Sequence, residues 1–423
     1  MTQARTVGRR LAAAVGVFAS FAVACTDRGL EPLDDVVQPP APRQSPPNGG
    51  EVEVPTTAGR LVVIDEAGGI RTLRPDGSEV SVLAEGAGPS VRFTQPTWSP
   101  DGRRVAWSRV EATDGELSAS LVTSAADGSE LTEAPTDVAA FYLFWDPTSS
   151  RVAYLGSPAA NSIDLGVVDV GRGGGRSVPL DSGQPYYFSW DPGGERMIVH
   201  VGADRLQVLE LDGSLAPLGS KPGVFHAPAW SADGESFLYV SRLGRRQELV
   251  VHDVESGRTT QLAIFRGIAS FVMSPDGSRV AFQVRGESGA EPPLSVIDVR
   301  TGRIREVSPF PALAYFWSPA GDRLLYMDSD LEPGETWFRW HVWDGSGSLA
   351  MSRFFPSRTF AEDYLPFFDQ YAQSLTLWAP DGSAFAYSGI NEDGDAGIWV
   401  QEAASGKDPV LVTGGTFTAW SSG

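Results

Sequence analysis

The stretch that decides the fold is Trp98-Ser-Pro-Asp-Gly102, followed at once by Arg103-Arg-Val-Ala-Trp-Ser-Arg-Val110. Proline presets the backbone of a tight turn, glycine closes it, and the apolar run that follows is typical of a β-strand. Related turns begin at Trp145, Trp190, Trp230, Met273, Trp317 and Trp378, and a shortened copy begins at Trp420. The intervals of 47, 45, 40, 43, 44, 61 and 42 residues indicate a repeat architecture.

Each repeat contains the same series of short strands. An apolar second strand follows the turn, as in Val105–Trp107 and Val280–Phe282, and a third strand follows, as in Leu249–His252. A glycine turn and a fourth strand, such as Thr259–Leu262, end the unit. No segment has a sustained helical period. Four strands in about 45 residues predict one blade of an all-β propeller. The large Trp of each turn is interpreted as packing between neighbouring blades.

The two ends of the chain hold the pieces of one more unit. Arg60–Ile64, Ile70–Leu73 and Glu79–Leu83 have the pattern of second, third and fourth strands, whereas Thr416–Trp420 has the pattern of a first strand. Joined, they would close the ring and remove open sheet edges, which otherwise invite aggregation. We therefore expect eight four-stranded blades, with a closing blade shared by both termini. Seven blades is the alternative, if one terminal piece packs elsewhere.

These repeats resemble the TolB-type, WD-repeat-like β-propeller family. In that family W-S-P-D-G, as at Trp98–Gly102, leads into an R-[IV]-A-[FY] strand, as at Arg279–Phe282. A third strand then ends near Asp-Gly, as at Asp212-Gly213. The resemblance covers roughly residues 60 to 423. It implies the propeller fold but no single function, because such repeats occur in binding modules, secretion-associated proteins and peptidase propellers. The family's N-terminal α/β domain has no counterpart in this sequence, so the Tol–Pal role is not carried over.

The N-terminus has the pattern of an export signal. Arg5, Arg9 and Arg10 precede the uncharged apolar run Leu11–Ala24, which is too short for a membrane span. Phe21–Cys25 resembles the lipobox of bacterial lipoproteins, in which the cysteine is acylated, and Cys25 is the only cysteine. The alternative is an ordinary Ala-x-Ala signal with an incidental cysteine. We predict a signal peptide at 1–24, a lipidated Cys25 with a proline-rich tether at 25–57, and a propeller at 58–423.

The charge of the chain limits its partners. The formal net charge is −20, and Lys221 and Lys407 are the only lysines. Nucleic acid and anionic lipid both require basic surfaces, so we expect no nucleic-acid partner and contact with the membrane only through the lipid anchor.

No motif for catalysis or for a cofactor is found in the sequence. The Gly-x-Ser-x-Gly elbow of serine hydrolases does not occur, and no pair of histidines among His200, His226, His252 and His341 has zinc-ligand spacing. Asp298–Gly302 resembles a quinoprotein docking turn but lacks the following tryptophan. Asp393 and Asp395, within Asn391–Asp395, could offer oxygens to Ca²⁺, although a hairpin turn is the favoured interpretation. We therefore predict no cofactor and no metal.

The longest interval, from Trp317 to Trp378, contains an aromatic insertion. We expect this insertion to lie over or beside one mouth of the central channel, where it either packs its aromatic rings onto the blade or forms a contact surface for a partner. Three residues before other first strands could extend that surface. The candidate binding residues are Phe354, Phe355, Phe360, Tyr364, Phe367, Phe368, Tyr371, Tyr142, Tyr187 and His226.

The sequence therefore predicts a monomeric, exported propeller that is lipid-anchored to the cell envelope, at the periplasmic face of the outer membrane or at the cell surface. We expect it to act as a non-catalytic protein-binding or scaffold module with a protein partner in the envelope. Two alternatives remain open: a propeller that binds a peptide, glycan or small ligand at its channel mouth, and a hydrolase or lyase whose residues are spread over several blades.

Overall fold

The computed structural model describes residues 57–86, 88–113, 116–159, 161–171, 175–219, 221–224, 226–286, 293–332 and 335–423. The predicted signal peptide, Cys25 and the tether up to residue 56 lie outside the described residues. Within the described ranges, no helix has both the length and the apolar character needed to cross a bilayer.

The described strands form seven antiparallel sheets, and within each one the strands that follow one another along the chain are neighbours. Sheet 1 contains β4 (Val91–Trp98), β5 (Arg104–Thr113), β6 (Glu116–Ala125) and β7 (Thr132–Thr136). Sheet 2 contains β8 (Ala140–Trp145), β9 (Arg151–Ala159), β10 (Ser162–Asp169) and β11 (Ser177–Gly183). Sheet 3 contains β12 (Tyr186–Trp190), β13 (Arg196–Val201), β14 (Arg205–Glu210) and β15 (Leu215–Pro217).

The second half of the chain continues the same pattern. Sheet 4 contains β16 (Ala229–Trp230), β17 (Ser236–Leu243), β18 (Arg246–Asp253) and β19 (Thr259–Phe265). Sheet 5 contains β20 (Ile268–Met273), β21 (Arg279–Arg285), β22 (Ser295–Asp298) and β23 (Ile304–Glu306). Sheet 6 has seven strands: β24 (Ala314–Trp317), β25 (Leu324–Glu332), β26 (Glu335–Trp343), β27 (Ser348–Pro356), β28 (Ala384–Asn391), β29 (Ala396–Glu402) and β30 (Val410–Thr413).

The closing sheet joins the two ends of the chain. Its strands are β31 (Phe417–Trp420), β1 (Leu61–Ile64), β2 (Ile70–Leu73) and β3 (Ser81–Ala84). β31 pairs with β1, so that Trp420 lies opposite Leu61 and Phe417 lies opposite Ile64. The predicted sharing of one sheet between both ends is therefore observed.

Sheet 6 departs from the expected pattern of separate four-stranded units. β27 continues beyond its own unit and pairs with β28, where Pro356 lies opposite Gly389. A Cβ atom on Gly389 would come within 2.5 Å of the carbonyl oxygen of Phe355, so the missing side chain permits this close approach. The first strand expected at Trp378 is reduced to one bridge between Trp378 and Phe385.

Hydrogen bonds within the repeated turn explain its sequence. The Gly102 N–H donates to the Ser99 carbonyl at 2.9 Å, and the Ser99 hydroxyl donates to Asp101 while it accepts from the Arg104 N–H. Gly102 has a φ of +67°, which favours glycine. In sheets 2 and 3 the serine is replaced by Asp146 and Asp191, whose carboxylates accept the equivalent backbone bonds. The turn is therefore stabilised by hydrogen bonds among its own residues.

Five of the repeated tryptophans connect their unit to the one before it. Five indole N–H groups donate to a backbone carbonyl in the first strand of the preceding unit. The acceptor is the residue immediately before the turn of that preceding unit. The pairs are Trp98 with Ala419, Trp145 with Thr97, Trp190 with Phe144, Trp317 with Val272 and Trp378 with Phe316, at 3.0 to 3.2 Å. The bond from Trp98 to Ala419 crosses the junction of the chain ends. The predicted packing role of these tryptophans is confirmed, and the ring of successive antiparallel sheets is a β-propeller.

Candidate functional site

The insertion in the longest repeat is the feature of the propeller that sequence periodicity cannot explain. We call residues 357–377 the central segment. It contains a π-helical turn at Phe360–Tyr364, a 3₁₀ turn at Leu365–Phe367 and the short helix α1 at Phe368–Tyr371. The Ser357 hydroxyl accepts the Phe360 N–H at 3.2 Å and thereby starts the first turn. Pro366 suits the start of the 3₁₀ turn because it has no N–H to leave unsatisfied.

Gln370 is almost completely buried and bonds to the first strands of two sheets. Its Nε2 group donates to the Phe188 carbonyl at 2.8 Å and to the Tyr142 hydroxyl at 2.9 Å. Its Oε1 atom accepts the Phe188 N–H at 3.0 Å. The carboxamide therefore pairs with both backbone groups of one residue on β12, as a neighbouring strand would. A first strand has a neighbouring strand on one side only, and Gln370 supplies hydrogen-bond partners for Phe188 on the other side.

Tyr371 makes the same kind of contact with sheets 1 and 2. Its hydroxyl oxygen lies 2.9 Å from Gln95 Oε1 and 3.1 Å from the carbonyl oxygen of Phe141. Its ring packs at 4.9 Å against Tyr142 and at 4.5 Å against Tyr364. Gln95 is buried and has a φ of +58°, an uncommon conformation for a residue other than glycine. The strained backbone presents the Gln95 amide to the central segment.

The remaining sheets also contact the central segment. Gln373 donates to the Pro228 carbonyl, just before β16, at 3.0 Å, and Phe368 packs against Tyr315 of β24 with ring centroids 4.7 Å apart. Tyr364 stacks on Phe417 of β31 at 4.5 Å, and α1 contacts β20. Each of the seven sheets therefore meets this segment through its first strand or the residue that leads into it. The central segment lies inside the ring.

This placement corrects the expectation that the insertion covers a channel mouth. Phe354, Phe360, Tyr364, Tyr371 and Tyr142 are at most 5% exposed. Burial of such large rings in a channel is favourable because it removes several hundred Å² of apolar surface from water, at roughly 25 cal/mol per Å².

The other predicted residues differ in their exposure. Phe355, Phe368 and Tyr187 are partly buried, and His226 is 1% exposed. Phe367 is 42% exposed and is the most exposed member of the predicted contact surface. The structure thus brings most of these residues together, but it does so in the interior of the ring.

Asp369, which the sequence reasoning missed, places a carboxyl group in this interior. Burial raises the pKa of its carboxyl group to about 6, while bonds from the backbone N–H groups of Gln370 and Ala227 and from the Tyr187 hydroxyl partly offset that rise. The sequence does contain a signal, because Asp369 is the single charged residue between Leu365 and Leu375.

His226 and His200 form a buried pair between sheets 3 and 4. The His226 Nε2 atom accepts the Val240 N–H at 2.8 Å, so its Nδ1–H donates to the Val224 carbonyl, also at 2.8 Å. Burial lowers the pKa of His226 and lowers that of His200 to about 4. The two rings pack at 4.6 Å. Both imidazoles are therefore neutral near pH 7 and serve packing.

The described residues contain no cluster of three or more His, Cys, Asp or Glu side chains that could hold a metal ion. Asp393 and Asp395 lie in the hairpin between β28 and β29, where the Asp395 N–H donates to the Asn391 side chain at 2.8 Å. His341 Nε2 lies 2.9 Å from Asp328 Oδ1 and its ring stacks on Tyr326. The contact between His341 and Asp328 joins neighbouring strands of one sheet, β25 and β26.

Comparison with known proteins gives a short sequence match and a broad structural one. No protein-family model matches the chain. The Tol-Pal system protein TolB of Actinobacillus succinogenes is 39% identical over 71 residues, and that of Hahella chejuensis is 37% identical over 67 residues. Each match covers 16% of this chain and 16% of the relative, so it spans about a sixth of the length of these curated relatives.

Solved structures resemble the chain over most of its length at low identity. A eukaryotic initiation factor has a TM-score of 0.52 at 12% identity, over 86% of this chain and 98% of that one. A structure from a study of two prolyl endopeptidases has a TM-score of 0.50 at 14% identity, over 78% of this chain and 50% of that one. At such identities the likeness shows the fold alone.

Proposed function

We propose that this chain is a non-catalytic protein-binding module of the bacterial cell envelope, held to a membrane through a lipid on Cys25. It acts as a monomer and binds its partners with the outer surfaces of the ring.

The filled channel is the observation that carries this proposal. The central segment occupies the space in which a propeller would hold a small ligand, and its amide and hydroxyl groups are already bonded to first strands. A ligand could displace the central segment only by breaking those bonds, and each buried polar group left without a partner costs about 1–3 kcal/mol. The surface left for recognition is the outside of the propeller.

The sequence match supports a role in binding proteins. The two relatives are named as components of a Tol–Pal system, and both matches exceed 35% identity over about 70 residues. The predicted lipobox at Phe21–Cys25 would hold this chain at the cell envelope.

We also assign eight blades to the propeller. Sheet 6 holds two turn units, and the indoles of Trp317 and Trp378 each donate to the unit before. The indoles of Trp98, Trp145 and Trp190 do the same. The division of sheet 6 falls between β27 and β28, whose pairing covers three residue pairs. β28, β29 and β30, together with the bridge at Trp378, form the blade before the closing sheet.

The anchor is tested by Cys25→Ala in the full chain. We expect the protein to move from the membrane fraction to the soluble fraction, because one acylated residue carries the anchor. Unchanged fractionation would contradict lipidation at this residue.

The binding function is tested by purification of the full chain from detergent-solubilised membranes, followed by reconstitution with each co-purified protein. We expect at least one partner that binds at a defined stoichiometry and survives a wash in high salt. Recovery of no protein, together with an increased melting temperature in the presence of a glycan or peptide pool, would contradict the proposal and favour ligand binding.

A further inference from the structure

One end of sheet 4 carries a concentration of positive charge that contrasts with the net charge of −20. We call these five exposed side chains the basic cluster: Lys221, Arg242, Arg245, Arg246 and Arg266. One of the two lysines of the chain is among them.

Backbone pairing brings the basic cluster together from three connections. The Arg242 N–H donates to the Lys221 carbonyl at 2.9 Å, which joins the loop before sheet 4 to β17. Arg245 and Arg246 lie at the hairpin between β17 and β18. Gln247 lies opposite Phe265, so Arg266, the next residue along the chain, lies beside Arg246. The five side chains therefore share one end of the same sheet.

The basic cluster is not neutralised by the described acids around it. Glu248 is the acidic residue of β18 nearest the β17–β18 hairpin, and its carboxylate accepts hydrogen bonds from Ser241 at 2.7 Å and from Gln261 at 2.6 Å. None of the five basic groups forms an ion pair with a described carboxylate.

Several arginines on other sheets are paired. Arg71 contacts Asp65 at 2.6 Å, Arg109 contacts Glu111 at 2.8 Å and Arg339 contacts Asp330 at 2.7 Å. Unpaired positive charge on an acidic protein attracts an anionic partner.

An apolar cleft begins where the basic cluster ends. This side cleft has a volume of about 530 Å³, lies between β19 and sheet 5, and is lined mainly by apolar side chains. They include Leu262, Ile264, Phe265, Phe282, Val284 and Ile304. Ile264 is 45% and Ile304 is 53% exposed. The volume lies in the range of ligand-binding pockets.

β19 is the outermost strand of sheet 4 and forms one wall of the side cleft. An edge strand presents backbone N–H and C=O groups that can pair with an added strand. Five consecutive residues of β19, from Gln261 to Phe265, line the side cleft, so an extended chain can lie along this part of the strand. A flat lipid surface could reach the basic cluster but not these backbone groups.

We propose that the side cleft and the basic cluster together bind an acidic, extended segment of a partner protein. The segment adds to β19 as a strand, places large apolar side chains in the side cleft and sets its carboxylates against Arg246 and Arg266. The proposal rests on the protein-binding function proposed above and names the surface and the chemistry of the partner.

The test is selection of short random peptides on the full chain, followed by affinity measurements on two double variants. We expect the selected peptides to alternate Asp or Glu with large apolar residues. Arg246→Glu with Arg266→Glu should weaken their binding about tenfold or more, and added salt should weaken it further. Ile304→Asp should weaken it about fivefold or more, because it places a like charge in the side cleft.

The matched control is Arg258→Glu with Arg300→Glu. Both residues are exposed arginines in glycine turns at the opposite end of sheets 4 and 5. Because two arginines are replaced by glutamate in each double variant, the change in net charge is identical. Affinity for the selected peptides should stay the same in this control.

Three outcomes would overturn the proposal: no enrichment of acidic residues, equal losses in the two double variants, or binding of phosphatidylglycerol vesicles that depends on Arg246 and Arg266 without peptide binding. If the Arg246 and Arg266 variant still recovers the same partner from membranes, the protein-binding function stands and this surface is wrong.

Discussion

Replacing Gln370 with leucine tests whether the central segment holds the ring together. Leucine has a similar volume but no polar group, so Gln370→Leu removes three hydrogen bonds while it leaves the packing nearly full. The Phe188 N–H and carbonyl then lose the partner on their channel side, and the Tyr142 hydroxyl loses its donor.

The size of the effect follows from those three bonds. Removal of each bond leaves a buried polar group without that partner, which lowers the free energy of unfolding by about 1–3 kcal/mol. Because the Tyr142 hydroxyl also lies 3.3 Å from the Gln370 carbonyl, it keeps one contact and its loss is at the low end. We expect the free energy of unfolding to fall by about 3–7 kcal/mol.

The assay is chemical denaturation of the full chain, with Gln373→Leu as the matched control. Gln373 lies in the same segment and makes one side-chain bond, to the Pro228 carbonyl, so the same substitution there should cost about 1 kcal/mol. Equal losses for the two variants would refute the assignment of Gln370 as the residue that joins sheets 2 and 3 to the central segment.

Three further predictions concern the interior acid, the tryptophans and the closing sheet. Because the pKa of Asp369 is raised to about 6, the stability that its carboxyl group contributes is present below about pH 4 and is lost as the pH rises through about 6. Asp369→Asn should therefore flatten the pH dependence of the melting temperature between these values. An unchanged slope would contradict this role of Asp369. Trp145→Phe removes the bond to the Thr97 carbonyl and should lower the free energy of unfolding by about 1–3 kcal/mol. Trp230→Phe should cost less, because the indole nitrogen of Trp230 has no partner among the described residues. An equal cost for the two variants would argue against a stabilising role of these bonds. Deletion of residues 416–423 removes β31 and should sharply lower the melting temperature, whereas melting like the intact chain would exclude closure through β31.

The fold was largely predictable because its determinants are local. The turn at Trp98–Gly102 carries its own hydrogen bonds, so each copy predicts a unit boundary wherever it occurs. The strand patterns at the two ends were complementary, and they predicted the pairing of β1 with β31. The joining of β27 to β28 was not predictable, since it depends on the close approach of two backbones at Gly389.

The position of the central segment could not be read from the sequence for a physical reason. An aromatic insertion buries its rings equally well on the outside of a blade or inside a channel, and the composition of Phe360–Tyr371 is the same in both cases. The choice depends on groups far away in the chain, such as the Gln95 amide and the backbone of Phe188. Periodicity identified the segment that breaks the repeat, but not the side of the ring on which it lies.

Amide hydrogen exchange on the unmodified chain tests the central claim most directly. If residues 360–375 fill the channel, their amides, including those of Ala372 and Leu375 that bond within the segment, should exchange about as slowly as those of β28. Exchange as fast as that of the exposed hairpin at residues 391–395 would contradict the account, because it would place the segment outside the ring.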